Sequence, residues 1–127
     1  MAPLASLGKR FTSAFERRLN ERRQVNRVVL QAAAARDIEK AVNWYNRQTS
    51  GLGSAFVSAV NDAMQSIGQH PLAYPVVYRQ SRRVVLQDFP YLLFYRQYGE
   101  VILVLACVHG KRHPKRWRSR IRSEENQ

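Results

Sequence analysis

The 127-residue chain is strongly basic, with 21 lysines and arginines against nine acidic residues and a formal net charge of +12 at pH 7. Its hydrophobic content of 45% and its single cysteine are typical of one globular domain without disulfides, and no stretch approaches the roughly 20 apolar residues that span a bilayer. These properties argue against a secreted, disordered or membrane-inserted protein. They favour a cytoplasmic protein with an acidic partner, which could be nucleic acid, an acidic protein or the anionic membrane surface.

Residues 1–24 form a basic segment whose apolar side chains recur at helical spacing. They are Leu4, Leu7, Phe11, Phe15 and Leu19. This pattern predicts one narrow apolar stripe on a basic helix or extension. We interpret the segment as an appended docking helix, a weak membrane-surface helix or a loosely ordered extension, separate from the main domain.

One strand and two amphipathic helices are predicted next. The run from Val25 to Gln31 is short and β-branched, which favours a strand. A helix follows from Ala32, with an apolar face formed by Ala34, Ile38, Ala41, Val42 and Tyr45. After Ser50 and Gly51, a second helix has its apolar face at Leu52, Phe56, Val60, Met64 and Ile67. Gly68 and Pro71 mark its end, so the two helices form a hairpin.

The second half of the chain predicts a sheet. A short edge strand is expected near Pro75, and the apolar runs VVLQ, YLLFYRQY and VILVLACV predict three further strands. Gly99 and Glu100 suit a two-residue hairpin turn with positive φ at the glycine. The register that this turn implies pairs Tyr98 with Val101, Arg96 with Leu103, Phe94 with Leu105, and Leu92 with Cys107.

The predicted fold is α+β: an N-terminal strand, an α-helical hairpin, and a three- to four-stranded antiparallel sheet. Both helices are expected on one face of the sheet, with the other face open. The domain is predicted over residues 25–118, followed by a polar tail at 119–127. The exposed face is either that of Tyr91, Leu93, Tyr95 and Gln97 or that of Leu92, Phe94, Arg96 and Tyr98.

Most catalytic motifs have no counterpart in the chain. It has no glycine-rich phosphate loop with its lysine and no Gly-x-Ser-x-Gly elbow. Cys107, His109 and His113 could ligate a metal, but four nearby cations and the lack of a fourth ligand oppose it. We therefore expect no metal and no cofactor, and a buried structural role for Cys107.

A basic cluster with interleaved aromatic residues is the strongest functional signal. It comprises Arg82, Arg83, Tyr91, His109, Lys111, Arg112, His113, Lys115, Arg116, Trp117 and Arg118. Arginine and lysine can stabilise the charge on a scissile phosphate while histidine or tyrosine transfers protons, so metal-independent RNA cleavage is one interpretation. The alternative is a surface that binds phosphate or an acidic protein without chemistry.

The chain resembles the RelE/ParE superfamily of bacterial type II toxins, and is most similar to ParE-like plasmid-stabilisation proteins, over roughly residues 25–118. The first half of the resemblance rests on Ala35 to Ile38, Trp44-Tyr45, Gly51-Leu52-Gly53, Phe56, Pro71, Tyr74 and Pro75. The second half rests on Arg82-Arg83, Phe89-Pro90-Tyr91, Tyr95, Leu105-Ala106, His109, Arg112, Pro114 and Trp117. The order and spacing of these motifs are more specific than any one of them.

The resemblance implies a toxin neutralised by a cognate acidic antitoxin, in a toxin–antitoxin hetero-oligomer. A ParE-like toxin inhibits growth by binding DNA gyrase, which is the preferred interpretation because of the long helical hairpin and the Phe-Pro-Tyr corner. A RelE-like toxin cleaves mRNA on the ribosome, and an inactive relative that only binds antitoxin is the third alternative. The lysines that the nuclease branch carries before its central strands are absent, since Tyr78, Arg79 and Gln80 occupy that region.

The resemblance also assigns the candidate site residues. If the protein is a nuclease, the catalytic residues are Arg83, Tyr91, His109 and Arg112. The predicted target-binding residues are Arg82, Lys111, Lys115, Arg116, Trp117 and Arg118.

Overall fold

The computed structural model describes residues 26–125, so the helix or extension predicted over residues 1–24 lies outside the described residues. Within this range the order of elements is β-α-α-β-β-β-β-α. The elements are β1 (Arg27–Leu30), α1 (Ala32–Gln48), α2 (Leu52–Gln69), β2 (Val76–Tyr78), β3 (Ser81–Val85), β4 (Tyr91–Tyr98), β5 (Val101–His109) and α3 (Pro114–Glu125). The α+β fold class and the helical hairpin are confirmed.

Five strands form one mixed sheet in the order β1-β5-β4-β3-β2. β1 pairs in parallel with β5, and the other neighbouring strands are antiparallel. The turn between β4 and β5 has Gly99 at φ 60°, as its sequence predicted. The pairs Tyr98–Val101 and Arg96–Leu103 are confirmed.

A β-bulge corrects the rest of the predicted register. Tyr95 pairs with Val104 while Phe94 pairs with Ala106, so Leu105 is an extra residue in β5. The predicted pairs Phe94–Leu105 and Leu92–Cys107 are therefore wrong by one residue. The bulge lets Leu105 and Ala106 both pack on the same side of the sheet, where a single buried cluster contains them.

The helical hairpin covers one face of the sheet. The predicted apolar faces of α1 and α2 supply Ala34, Ala41, Phe56, Val60 and Ile67 to a buried cluster with β3, β4 and β5. The two helices approach closely at Gly53, where a Cβ atom would lie 2.6 Å from the side-chain amide of Asn46. The Gly53 N–H donates a 2.8 Å hydrogen bond to Asn46 Oδ1, which fixes this crossing.

The opposite face is not open, because α3 covers it. Trp117 and Ile121 of α3 are buried against Phe94, Leu105 and Ala106, and the Trp117 ring stacks on Phe94 at 4.6 Å between centroids. The predicted polar tail from residue 119 is instead helical as far as Glu125. The hairpin therefore does not cover one of the two predicted faces of β4, and α3 packs on it instead. This is the face that contains Leu92, Phe94, Arg96 and Tyr98.

Candidate functional site

A basic groove of about 920 Å³ lies between α1 and α3 at the end of the sheet where β4 begins and β5 ends. β1 pairs only with the segment from Val101 to Val104, so the remaining residues of β5 have no strand on that side. The open end of β5 forms the floor of the groove. The residues just after β5 are held beside the start of β4 by a hydrogen bond from the Gly110 N–H to Pro90 O at 2.7 Å.

Two side chains satisfy the exposed backbone of β5 at this edge. The Cys107 N–H donates to Asp37 Oδ2 at 3.0 Å, and Arg120 Nη1 donates to Leu105 O at 3.2 Å. Arg120 and Asp37 also pair with each other, Nη1 to Oδ2 at 2.9 Å and Nη2 to Oδ1 at 3.1 Å. This bidentate pair joins α1 to α3 around the edge and blocks the edge to other strands.

Cations line both walls of the basic groove. On α1, Lys40, Trp44 and Arg47 lie on one helical face at spacings of four and three. On the other wall, Arg112, Arg116 and Arg120 recur every four residues. Within residues 26–125, only Arg120 of these cations forms a salt bridge. The groove therefore presents unneutralised positive charge on two sides.

Tyr91 and His109 form the aromatic part of the floor. Their ring centroids are 5.1 Å apart in an edge-to-face arrangement. His109 Nδ1 accepts a 3.0 Å hydrogen bond from the Lys111 N–H, so a neutral His109 ring carries its proton on Nε2. Burial raises the pKa of Tyr91 above its ordinary value, against the opposing charge of Arg112. Tyr91 is thus a phenol at neutral pH and can donate but not accept a proton in acid–base chemistry.

Cys107 also borders the groove but is not a nucleophile. Its burial, reinforced by the Asp37 carboxylate, raises the pKa of the thiol to about 12. The thiolate is the reactive form of cysteine, and it is essentially unpopulated at neutral pH. The structure is consistent with the structural role that the sequence predicts for this residue.

An aromatic cluster beneath the floor holds Tyr91 in place. Tyr91 packs edge-to-face on Phe56 at 5.0 Å, and Phe89 packs edge-to-face on Phe56 at 5.1 Å and on Tyr45 at 5.0 Å. The Phe-Pro-Tyr corner thus inserts its two aromatic rings between α1 and α2. Such contacts orient rings as well as burying them. The groove floor is therefore packed directly on the core of the hairpin.

The structure brings together three of the four predicted catalytic residues. Tyr91, His109 and Arg112 line the groove. Arg83 pairs with Phe94 in the sheet, and Phe94 belongs to the α3 face, so Arg83 points away from the side of the sheet on which Tyr91 and His109 lie and does not line the groove. The expectation that Arg83 joins His109 and Arg112 at one site is corrected by this alternation.

The six predicted target-binding residues are dispersed. Arg116 lines the groove, Lys111 is exposed in the turn after β5, and Lys115 and Arg118 are exposed on α3. Arg82 has a structural contact, since its Nη1 donates to Tyr74 O at 2.6 Å. Trp117 is only 8% exposed and packs in the core, so its placement on a binding surface is corrected.

A second basic surface lies on the α3 face around Tyr78. Arg122 Nη1 donates to the Tyr78 hydroxyl at 3.1 Å, and the Arg118 guanidinium lies 5.6 Å from the centre of the Tyr78 ring. The hydrogen bond from Arg122 is the main cause that lowers the pKa of Tyr78. Nearby, Glu125 bridges Arg79 and Arg96 at 2.7 and 2.9 Å.

Sequence reasoning missed five residues of the groove: Asp37, Lys40, Trp44, Arg47 and Arg120. Lys40, Trp44 and Arg47 share a helical face opposite the apolar one, and an exposed tryptophan between two cations is a usable signal. The Asp37–Arg120 pair spans 83 positions of sequence, and no local pattern indicates it.

Neither a metal site nor a membrane helix is found in residues 26–125. No three histidine, cysteine or acidic side chains in this part of the chain are grouped as metal ligands would be. None of the helices described has the length and apolar character needed to cross a bilayer.

The fold and the groove define a small basic α+β protein with a helical hairpin on one face of its sheet and a short C-terminal helix on the other. The family model described as ParE toxin of the type II toxin–antitoxin system parDE matches residues 28–114. The chain therefore belongs to the ParE toxin family of type II toxin–antitoxin systems, as its motifs indicated.

A solved structure shows the same fold. It is a chain of the chromosomal ParDE toxin–antitoxin system from P. aeruginosa, which is 16% identical to this protein with a TM-score of 0.52. The alignment covers 68% of this chain and 97% of that one. No curated protein sequence matches the chain.

Proposed function

We propose that this toxin inhibits growth by binding DNA gyrase in the cytoplasm, and that an acidic antitoxin neutralises it. The observation that carries the proposal is that Arg83 points to the α3 face of the sheet, away from Tyr91 and His109, and does not line the groove that contains Arg112. A phosphodiester cleavage site needs its charge-stabilising and proton-transferring groups within reach of one phosphate. With Arg83 on the other face, binding is favoured over cleavage.

The exposed cations of α3 are the proposed gyrase contacts. Lys115, Arg118 and Arg122 lie on the part of the helix that Trp117 and Ile121 leave outside the core. Surface cations raise association rates with acidic partners and give binding a strong salt dependence. ParE family membership supports gyrase as the target, because the resemblance to ParE-like toxins implies inhibition by gyrase binding.

The antitoxin is proposed to bind the helical hairpin rather than the sheet, since α3 already covers the face that the hairpin leaves. Apolar side chains are exposed on both helices of the hairpin, with Trp44 at 48% and Val57 at 39%. An acidic amphipathic segment would match these side chains and the net charge of +12. Co-expression with the acidic product of an adjacent gene tests this: co-purification that weakens with salt is expected, and indifference to that product would contradict it.

Induction of the wild-type chain in cells, with DNA breaks and transcript integrity followed together, tests the target. We expect DNA breaks with intact mRNA, and a clear loss of toxicity in Lys115→Gln/Arg122→Gln. Arg27→Gln/Arg36→Gln removes the same charge from exposed positions of β1 and α1 and should remain toxic. Unaltered growth on induction of wild type would favour the inactive relative instead.

The second candidate is a RelE-like ribosome-dependent mRNA endoribonuclease, favoured by the contact between Tyr91 and His109 beside Arg112. His109 would transfer the proton and Arg112 would stabilise the charge on phosphate. Transcript cleavage that disappears in His109→Ala and falls about a hundredfold in Arg112→Gln would establish this function and overturn gyrase binding.

A further inference from the structure

We propose that the basic groove between α1 and α3 is a binding site for single-stranded nucleic acid. The proposal does not rest on gyrase as the target, because it concerns binding by the purified chain alone. Sites of this kind combine a positively charged channel that follows the backbone with aromatic rings on which bases stack. The groove has both features, and they lie on one surface.

The cations of the groove are arranged as two rows. Arg116 and Arg120 are one turn apart on α3, about 6 Å along the axis, which is of the order of the separation between phosphates in an extended single strand, and Arg112 precedes them in the turn before α3. Lys40 and Arg47 face them from α1. Lys40, Arg47, Arg112 and Arg116 have no salt-bridge partner within residues 26–125, so phosphates would meet charges that no carboxylate already neutralises.

Trp44 provides the stacking surface. Its side chain lines the groove between Lys40 and Arg47, and at 48% exposure it is among the large hydrophobic side chains that remain accessible. Tyr45 contacts it edge-to-face at 5.0 Å, which supports the indole. Stacking on an aromatic side chain requires an unpaired base, so these residues favour a single strand over a duplex.

An acidic peptide strand fits the same groove less well. A peptide that extends a sheet gains its affinity from main-chain hydrogen bonds to an open strand edge. Here Asp37 already accepts from the Cys107 N–H, and Arg120 already donates to Leu105 O. The edge of β5 is thus blocked for a peptide, while the cations and rings around it remain available.

Tryptophan fluorescence offers a direct test on the full-length chain. The protein has two tryptophans, and Trp117 is buried against Phe94, so quenching on addition of an oligonucleotide reports on Trp44. Titration with oligo(dT) and with oligo(U) of equal length should quench the emission, and the two arms distinguish DNA from RNA as the preferred ligand. Trp44→Phe should abolish the quenching signal.

Fluorescence anisotropy with labelled oligonucleotides measures the affinity. We expect Trp44→Ala to bind about tenfold more weakly, the cost of losing one stacked base. Lys40→Gln/Arg47→Gln should reduce the slope of log K against log [salt] by about 1.4, as expected for two lost contacts to single-strand phosphates. The control variant Arg27→Gln/Arg36→Gln has the same net charge as Lys40→Gln/Arg47→Gln, but its substitutions lie outside the groove. It should bind as wild type does.

Three results would overturn the proposal. One is duplex DNA binding more tightly than either single strand. Another is equal weakening in the groove variant and in the control variant, which would mean that net charge alone drives binding. The third combines two observations: polyglutamate binds as tightly as the oligonucleotides do, and Trp44→Ala binds the oligonucleotides as tightly as wild type does. Together they would assign the groove to an acidic protein.

Discussion

The two faces of the sheet are covered by helices of very different character. On one face, α1 and α2 contribute six fully or nearly buried apolar side chains and an aromatic cluster around Phe56. On the other face, α3 is 12 residues long and inserts only Trp117 and Ile121. The hairpin face is therefore the stable core of the domain, and the α3 face is a thin cover.

This difference explains where the charge of the protein is concentrated. Two large apolar residues one turn apart are enough to anchor a short helix to an apolar strand surface. The remaining positions of α3 are free to be basic, and Lys115, Arg116, Arg118, Arg120 and Arg122 occupy them. The cations proposed to contact gyrase are thus carried by the helix that contributes the fewest side chains to the core.

Truncation of Phe56 is the strongest expected perturbation of the hairpin face. Phe56 is fully buried and contacts Tyr45, Phe89 and Tyr91, so Phe56→Ala should lower the free energy of unfolding by about 4 kcal/mol. Urea denaturation measures this loss. Val57→Ala at the neighbouring exposed position should cost less than about 1 kcal/mol. Similar losses in the two variants would contradict the assignment of the core to this face.

Trp117→Ala tests whether α3 belongs to the fold. Removing the ring that stacks on Phe94 should lower the free energy of unfolding by about 3 kcal/mol. The backbone amides of α3 should then exchange hydrogen before those of the hairpin do. Ser119→Ala at an exposed position of the same helix serves as the control. If Trp117→Ala retained wild-type stability and lost only a binding activity, the target-binding role predicted from sequence would stand.

The hairpin could be predicted from sequence because each of its helices repeats apolar residues at helical spacing over three to four turns. Ala34 to Tyr45 and Leu52 to Ile67 show this pattern, and their helix bounds agree with the structure. α3 has no comparable repeat. Its two apolar residues, Trp117 and Ile121, stand among arginines, so sequence reasoning assigned one to a binding surface and the other to a tail.

The predicted candidate site is divided because Arg83 lies on the α3 face, and a bulge separately shifts the predicted register of β5. Strand periodicity assigns residues to faces correctly only until a bulge intervenes, and Leu105 is such a bulge. The proximity of Tyr91 to His109 was predictable from the hairpin turn at Gly99. Alternation along β3 puts Arg82 and Arg83 on opposite faces, but which of them faces the hairpin depends on long-range packing. The Asp37–Arg120 pair that closes the edge also depends on long-range packing that no local pattern encodes.

The Asp37–Arg120 pair is the contact that links the two layers around the edge of the sheet. Asp37→Ala and Arg120→Ala should each destabilise the protein by about 1 to 2 kcal/mol, because each leaves a strand backbone group without its partner. The double variant should lose less than the sum, with a coupling of about 1 kcal/mol. Strict additivity would mean that the two layers are stabilised independently. Glu39→Ala on the exposed side of α1 should be near neutral.

The titration of two tyrosines should distinguish the faces most finely. Tyr95, buried under the hairpin, donates to Pro71 O at 2.6 Å, and burial raises its pKa to about 12, whereas the hydrogen bond from Arg122 lowers the pKa of Tyr78 on the α3 face. Because folded Tyr95 holds its proton more tightly than the unfolded chain does, its contribution to stability is complete below about pH 10 and is lost as pH rises towards 12.

Absorbance titration should show Tyr78→Phe losing an early tyrosinate step and Tyr95→Phe losing the last one. The unfolding free energy of Tyr95→Phe should also fall less steeply than that of wild type above pH 10. A wild-type protein in which Tyr95 ionises before Tyr78 would reverse the contrast between a closed hairpin face and a solvated, basic α3 face.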